Sequence, residues 1–514
     1  TDDINIKGEL TRRYNVLTRE TLAHNSNAAD TSSMVEKKNF ESEYLFKDEF
    51  DSLDQKSTLK KVNVKEDFGI AYRQLSSLYY KRIAENGKVP DVVSLFEIWG
   101  IDKDSVTDDP AKSRVYTMIK SYWDDPKNDI TKGLSVPIGM NEHGVTYLDM
   151  HQNGDGPHGL VAGTTGSGKS ETLITYVIGC CMKYRPEELN FMLVDMKGGG
   201  FSDRLGNLPH LVGAVTNTTG EAEGIAPEYM LKRFLETLNA EIKRREVVLK
   251  ELDTDNIDSY MRTRKTVLKY REQILSGEKT LTEIKKEFIN KDNRIKACDP
   301  ESPEPKPLSH LLLIVDEFTE LKRFSSESND IDFIKDITTI ARVGRTLGFH
   351  IILVSQNIEG AITEDIRVNS KARICLKVAT KSASKDMIGT PDAAAATMPG
   401  HGRAYILVGT GSRYEYFQSA YTGANRNLSI KGDVKVTMIP ECGPFDEGFY
   451  NSKSDNVRMA KQNKNVNEDD NQLNYIINTI NALKDGYEPS IQLFLNPLKA
   501  DVESVMDKTE WEGL

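Results

Sequence analysis

Residues 163–170 read Gly163-Thr164-Thr165-Gly166-Ser167-Gly168-Lys169-Ser170, and no other stretch restricts the fold as strongly. The spacing is G-x-x-x-x-G-K-S. Glycines at these places let the backbone curl until successive N–H groups point inward, the geometry that cradles phosphate oxygens. A lysine here reaches the β- and γ-phosphates of a nucleotide, and the hydroxyl after it binds Mg2+. Such a loop sits between a buried strand and the N-terminus of a helix, whose dipole favours negative charge. Both neighbours are present. Gly159-Leu160-Val161-Ala162 is a short apolar run before the loop, and Glu171 to Tyr184 is rich in Thr, Leu, Ile, Val, Cys and Met. The stretch reads as strand, loop and buried helix, and implies binding of ATP or GTP.

A loop of this kind works with an apolar strand that ends in an acid holding the metal. Leu311 to Glu317, LLLIVDE, fits. Asp316 is the expected Mg2+ ligand, together with Ser170. Glu317 is placed to orient or deprotonate an attacking water. A third strand, His350 to Gln356, ends in an amide that can sense the γ-phosphate or hold the water. A fourth, Leu189 to Asp195, is followed by Lys197-Gly198-Gly199-Gly200, which reads either as a ligand-binding strand end or as a tight turn.

Bulk properties set the class. With 514 residues, 38% hydrophobic and 28% charged, the chain reads as a globular protein of two to four domains, or one large domain with additions. No apolar run reaches the ~18 residues that a membrane helix needs. The chain starts at Thr1 without Met, which reads as a piece of something longer or a processed chain. A net charge of −11 argues against a general nucleic-acid binder. The five cysteines include the adjacent pair Cys180 and Cys181 in the helix after the loop, which reads as buried thiols rather than a disulfide framework.

Apolar spacing of three or four predicts an amphipathic helix over residues 66–85, through Phe68, Tyr72, Leu75, Tyr79 and Ile83. A shorter one is expected from Pro90 through Val92, Leu95, Phe96 and Trp99, and another over residues 113–123. From about residue 134 strands alternate with helices, which implies a parallel sheet covered on both faces, opened by Val136-Pro137-Ile138-Gly139. A long helix is expected over 231–252. A charged helical excursion, 263–307, is expected to project from the sheet, with a break at Ser276-Gly277 and solvated charges. Residues 451–471 are polar, and 473–483 reads as a helix. Trp511-Glu512-Gly513 resembles the W-x-G turn of small secreted helical hairpins, on one tripeptide alone.

The phrases GTTGSGKSE (163–171), LVDMKGGG (193–200), LPHLV (208–212), Thr216-Asn217, IVDEFTEL (314–321), ARVGRTLG (341–348), GTPDA (389–393) and FQSA (417–420) come in a fixed order. Together they resemble the FtsK/SpoIIIE motor ATPases, and within them the EccC/EssC ATPases of type VII secretion, at the first of the tandem ATPase domains. The resemblance implies a P-loop NTPase fold of the RecA/FtsK-like α/β class, with a central, mostly parallel sheet flanked by helices. It implies a mixed, partly helical region at 1–133, the ATPase domain at 134–424, and a linker at 425–514 leading toward a further ATPase domain.

It also implies roles. Gly163 to Glu171 hold ATP, Ser170 and Asp316 hold Mg2+, Glu317 is the catalytic acid and Gln356 the sensor. Arg233, in a phrase that also offers Arg244 and Arg245, matches the arginine that such motors supply to a neighbour's nucleotide; Arg342 and Arg345 are further candidates. The implied partners are WXG100-type secreted proteins, other ATPase domains in a hexamer, and membrane components of the secretion system. The implied location is the cytoplasmic side of the cell membrane, with the anchor outside this stretch and no nucleic-acid partner. Two other readings stay open: a DNA translocase of the same superfamily, and a nucleotide-binding module that does not turn over alone.

Overall fold

The computed structural model describes residues 89–197, 200–219, 225–288, 291–321, 332–356, 358, 362–396, 398, 400–426, 470–487 and 489–494. All fall in the unit Ile83–Leu514. The helix expected at 66–85, most of the polar stretch 451–471, Gly198-Gly199 and the Trp511 turn lie outside the described residues.

In chain order, helices α1 (Leu95–Ile98) and α2 (Arg114–Asp124) precede a hairpin of β1 (Ser135–Asn141) and β2 (Gly144–Asp149). Strand β3 (His158–Ala162) leads through the glycine loop into α3 (Lys169–Lys183). Then come β4 (Leu189–Asp195), α4 (Gly200–Leu205), β5 (Leu211–Thr216) and the long α5 (Pro227–Glu251). The excursion forms α6 (Ile257–Leu275), α7 (Leu281–Glu287) and α8 (Asp292–Cys298). The chain returns through β6 (His310–Asp316), α9 (Phe333–Gly344), β7 (Phe349–Ser355), α10 (Glu364–Asn369) and β8 (Ala372–Leu376). Last are α11 (Lys381–Ile388), β9 (Arg403–Val408), β10 (Arg413–Ser419) and α12 (Gln472–Leu483).

The strands form one ten-stranded sheet, ordered β2-β1-β10-β9-β8-β3-β7-β6-β4-β5. From β8 to β5 all pairings are parallel, and from β2 to β8 all are antiparallel. The parallel strands are buried from end to end in β3, β4, β6 and β7. Burial on both faces explains why they read as unbroken apolar runs. Successive residues feed opposite cores: Leu312 and Ile314 join the cluster under α2, α3 and α12, while Leu311, Leu313 and Val315 join the one under α5, α6 and α9.

Three expectations change. Val136 to Gly139 does not open the parallel part; β1 pairs antiparallel with β2 and β10. Only Glu142 and His143 separate the Asn141–Gly144 pair, and two residues can close a hairpin but not a parallel crossover. The helix expected from Pro90 shrinks to α1, because the backbone of Val93 and Leu95 bonds Tyr421 instead and Ser94 caps the helix there. The excursion folds back rather than projecting. Val267, Ile284 and Cys298 sit in the α5 core, and Arg271 donates to the carbonyls of Ala297, Asp299, Pro300 and Ser302. The break falls where expected, with Gly277 at φ 76°.

Residues on both sides of 134–424 join the same core. Within α12, Gln472 accepts from Phe96 N and Tyr475 from Thr107 N. Beyond it, Leu493 and Phe494 donate their N–H groups to Val212 O on β5. Cys180 and Cys181 are buried free thiols, as expected, and burial pushes Cys180 up to about 12.

Candidate functional site

The C-terminal ends of β3, β6 and β7 carry the residues that the sequence singles out. Gly163 N donates to Ser355 O at the end of β7, and Thr164 N to Lys377 O just past β8. Gly166 and Gly168 take φ of 76° and 102°, which makes the curl, and Gly168 leads into α3. Ser167 is buried, Thr165 and Gly166 are exposed, and Ser170 is half-buried in the first turn of α3.

Lys169 is 6% exposed, and its ammonium lies 2.9 Å from Asp316 Oδ1 and 3.5 Å from Glu317 Oε2. The two carboxylates respond differently to the same lysine. Burial pushes Asp316 up, aided by the nearby Asp195 and Glu317, and Lys169 only partly offsets it. Burial also acts to raise Glu317, but the Gln356 N–H, the Ser355 hydroxyl, Lys169 and Lys197 outweigh it and hold Glu317 below its ordinary value. Lys197, of the glycine-rich turn after β4, is 3.8 Å from Glu317 Oε2. Glu317 sits at φ 55°, a left-handed conformation unusual for a side chain of its size. The side chain of Gln356 accepts from Thr165 Oγ1 at 2.9 Å, tying the third strand to the loop.

Glu171 turns to other partners. Its carboxylate takes the guanidinium of Arg204 at 2.5 Å and the N–H and hydroxyl of Thr422 at 3.1 and 2.7 Å. It ties α3 to α4 and to the chain after β10. The contact of His401 and Gly402 with the loop is a feature that the sequence did not announce. Gly402 N donates to Ser167 O at 2.7 Å, and His401 Nδ1 lies 2.5 Å from Gly166 O. A Cβ on Gly168 would meet Gly402 Cα at 2.8 Å. The phrase PGHG carries the right signal, two glycines able to approach a second backbone, but nothing in it says which backbone.

The arginines are placed apart from the loop. Arg233 lies on α5 with its guanidinium 5.1 Å from the ring centroid of Phe494. Arg244 and Arg245 both bind Glu241, and Arg245 is buried with a further bond to Leu347 O. Arg342 and Arg345 are exposed at the end of α9, where the chain turns back into the start of β7.

At the opposite ends of the same strands lies a second polar cluster. His310 opens β6, His350 is second in β7 and His158 opens β3. His310 Nδ1 is 2.9 Å from His350 Nε2, so one donates and the other accepts. Asp258, in the first turn of α6, lies 3.3 Å from His310 and 3.4 Å from His151. His158 bonds Ala341 O through Nε2 and takes the Ile351 N–H on Nδ1. Among the described residues no group of three or more His, Cys, Asp or Glu is arranged to hold a metal ion.

That limits how Mg2+ could bind at the loop. The oxygen donors Ser170 and Asp316 suit a hard cation that takes one or two protein ligands and completes its shell with phosphate and water. A site of this kind needs no cluster of protein acids, so the residues present fit it.

The curled loop enters α3 from β3, and its lysine stands against the two adjacent acids at the end of β6, one strand beyond β7. Residues 118–360 match the FtsK/SpoIIIE family. The chain carries an FtsK/SpoIIIE family domain. It is homologous to the EccC and EssC proteins of type VII secretion. It is 38% identical over 315 residues to the ESX secretion system protein EccC of Geobacillus thermodenitrificans, covering 61% of this chain and 18% of that protein. It is 33% identical over 362 residues to the type VII secretion system protein EssC of Staphylococcus aureus, covering 70% of this chain and 20% of that one. The cytoplasmic domain of the Thermomonospora curvata type VII secretion ATPase EccC superposes with a TM-score of 0.50 at 25% identity, over 80% of this chain and 36% of that one. The chain thus spans about a fifth of the length of its curated relatives. The FtsK/SpoIIIE match holds Lys169, Asp316, Glu317 and Gln356, whereas the clamp at 400–403 lies beyond it. Among the described residues no helix is long and apolar enough to cross a membrane.

Proposed function

We propose that this chain is an ATP-hydrolysing motor domain of a membrane-anchored type VII secretion ATPase, which drives export of small helical-hairpin substrates of the WXG100 type. The observation that carries the reading is the contact of Lys169 with both Asp316 and Glu317 at the end of the parallel strands. A lysine there can exchange the two acids for the β- and γ-phosphates. Ser170 and Asp316 would hold Mg2+, which supplies charge neutralisation on the phosphate oxygens.

Glu317 then acts as the base for an in-line water, and Gln356 follows the γ-phosphate from the end of β7. Arg233 is assigned to a neighbouring subunit's nucleotide, where an arginine supplied in trans is worth about 10³–10⁵ in rate. Hydrolysis by this chain alone is accordingly slow. In this reading residues 134–424 form the ATPase domain and 1–133 the region before it. Residues 425–514 lead toward a further ATPase domain, and the assembly is a hexamer on the cytoplasmic side of the membrane.

Glu317→Gln in the full-length protein tests the reading. We expect secretion to stop and hydrolysis to fall about 10²–10⁴-fold while ATP still binds. Unaffected secretion would overturn the proposal.

A further inference from the structure

Glu317 has a left-handed backbone and a fixed side chain, and the side chain is fixed by one strand. Ser355 is the last residue of β7, fully buried, and β7 lies between β3 and β6 in the sheet. The register pairs it with Ala162, immediately before the glycine loop. Its carbonyl takes the Gly163 N–H, and its hydroxyl reaches the other way, to Glu317 Oε1 at 2.7 Å. The next residue adds a second hold on the same oxygen, with Gln356 N donating at 3.0 Å. Thr319 Oγ1 is also near, 3.2 Å from that oxygen and 2.8 Å from Ser355 Oγ.

Two hydroxyls carry two protons, and three short oxygen–oxygen contacts compete for them, so at most two of the three are hydrogen bonds at once. Whichever pair forms, Oε1 is the saturated oxygen and Oε2 is the one turned toward the lysines. A carboxylate held by a single hydrogen bond would swing about its side-chain torsions; a backbone N–H and a buried hydroxyl converging on Oε1 restrict that swing.

We infer that Ser355 is a positioning residue: its hydroxyl, with the Gln356 N–H, fixes one oxygen of Glu317 so that the other faces the phosphate site. This rests on the reading of Glu317 as the base for water. Ser355 itself touches no reacting atom. It links the loop to the base through one residue, backbone on one side and side chain on the other.

Four forms of the full-length protein test it: wild type, Glu317→Gln, Ser355→Ala and Ser355→Thr, the last keeping a hydroxyl on a strand residue that tolerates β-branching. ATP hydrolysis, binding of a fluorescent ATP analogue, and secretion from cells carrying each form are measured. Ser355→Ala is expected to lower kcat about tenfold with KM within about twofold, the pattern of an interaction that counts only in the transition state. Ser355→Thr is expected to restore most of the rate, and secretion to follow the same order. Wild-type kcat in Ser355→Ala overturns the inference. So does a raised kcat, which would make the hydroxyl a restraint on the base, and so does loss of analogue binding, which would make it a prop of the loop. An inactive Glu317→Gln beside a normal Ser355→Ala sinks this inference alone, whereas an active Glu317→Gln sinks the reading of the base itself.

Discussion

The strands β3, β6 and β7 bury polar groups at both ends, and the two ends are built on different rules. At the C-terminal ends a lysine stands against two acids beside an exposed loop, and the charges are close enough to disturb one another. At the N-terminal ends four histidines and one acid are buried, His151, His310 and His350 meeting one another or Asp258, and His158 meeting backbone. His158 is pushed down to about 4 by burial, and His310 and His350 are lowered as well. Buried imidazole meets the cost of desolvation by losing its proton, which a phosphate-binding lysine cannot do without losing its use. Perturbed groups therefore mark both ends of this sheet, but only one end offers a ligand mobile charge, curled backbone and access.

The largest effect should come from breaking the closed end. Asp258→Ala leaves His151 and His310 without their shared acceptor, and two buried donors left unpaired should cost about 3 kcal/mol in denaturant unfolding. Affinity for an ATP analogue should not change. A parallel loss of affinity would show that the two ends are coupled through the strands, and the contrast would fail.

A smaller effect comes from acid. His158 has a folded value near 4 against ~6.5 unfolded, so its contribution is complete above pH 6.5 and declines as the pH falls toward 4. Linkage gives a loss of about 2 kcal/mol between pH 7 and pH 5 for this one group. The lowered His310 and His350 add in the same direction. Urea midpoints across that range should fall in the wild type and less steeply in His158→Gln. Glu317, held below its ordinary value, would lose its contribution only at lower pH, and the raised Asp316 acts in the opposite sense, so the difference between wild type and His158→Gln, not the slope itself, reports the histidine end. Equal slopes in both proteins would refute the assignment.

The smallest effect concerns a group at neither end. Arg233 over Phe494 is a half-exposed cation–π pair, and Arg233→Ala should cost about 0.5–1 kcal/mol by thermal unfolding. A much larger loss would make Arg233 a structural residue first and weaken its assignment to a neighbouring site.

These contrasts follow what could be read in advance. The central strands were legible because double-sided burial leaves a plain mark, LLLIVD or IILVS, and the loop because its chemistry tolerates few substitutes. Loop and acidic strand end were both expected at the site, but the ion pairs of Lys169 with Asp316 and Glu317 were not. The antiparallel half was harder, since β10 alternates weakly and β1 contains Pro137, so neither carries the same signature. The histidine cluster joins residues 151, 158, 258, 310 and 350, and no local period connects them. Ser355 looked like a strand end; only the register that sets β7 between β3 and β6 turns its hydroxyl into a partner of Glu317. Arg271 and Arg294 of the excursion looked solvated because their partners are backbone carbonyls, which a sequence does not distinguish.

The glycine loop is hydrogen-bonded to Ser355 O, to Lys377 O and, through Ser167 O, to Gly402 N, so residues from both halves of the sheet set its shape. The conformational entropy of ordering such a flexible run is then lost when the chain folds and not when a phosphate arrives. Much of the ligand's interaction energy can therefore appear as affinity, because the receptor is already preorganised.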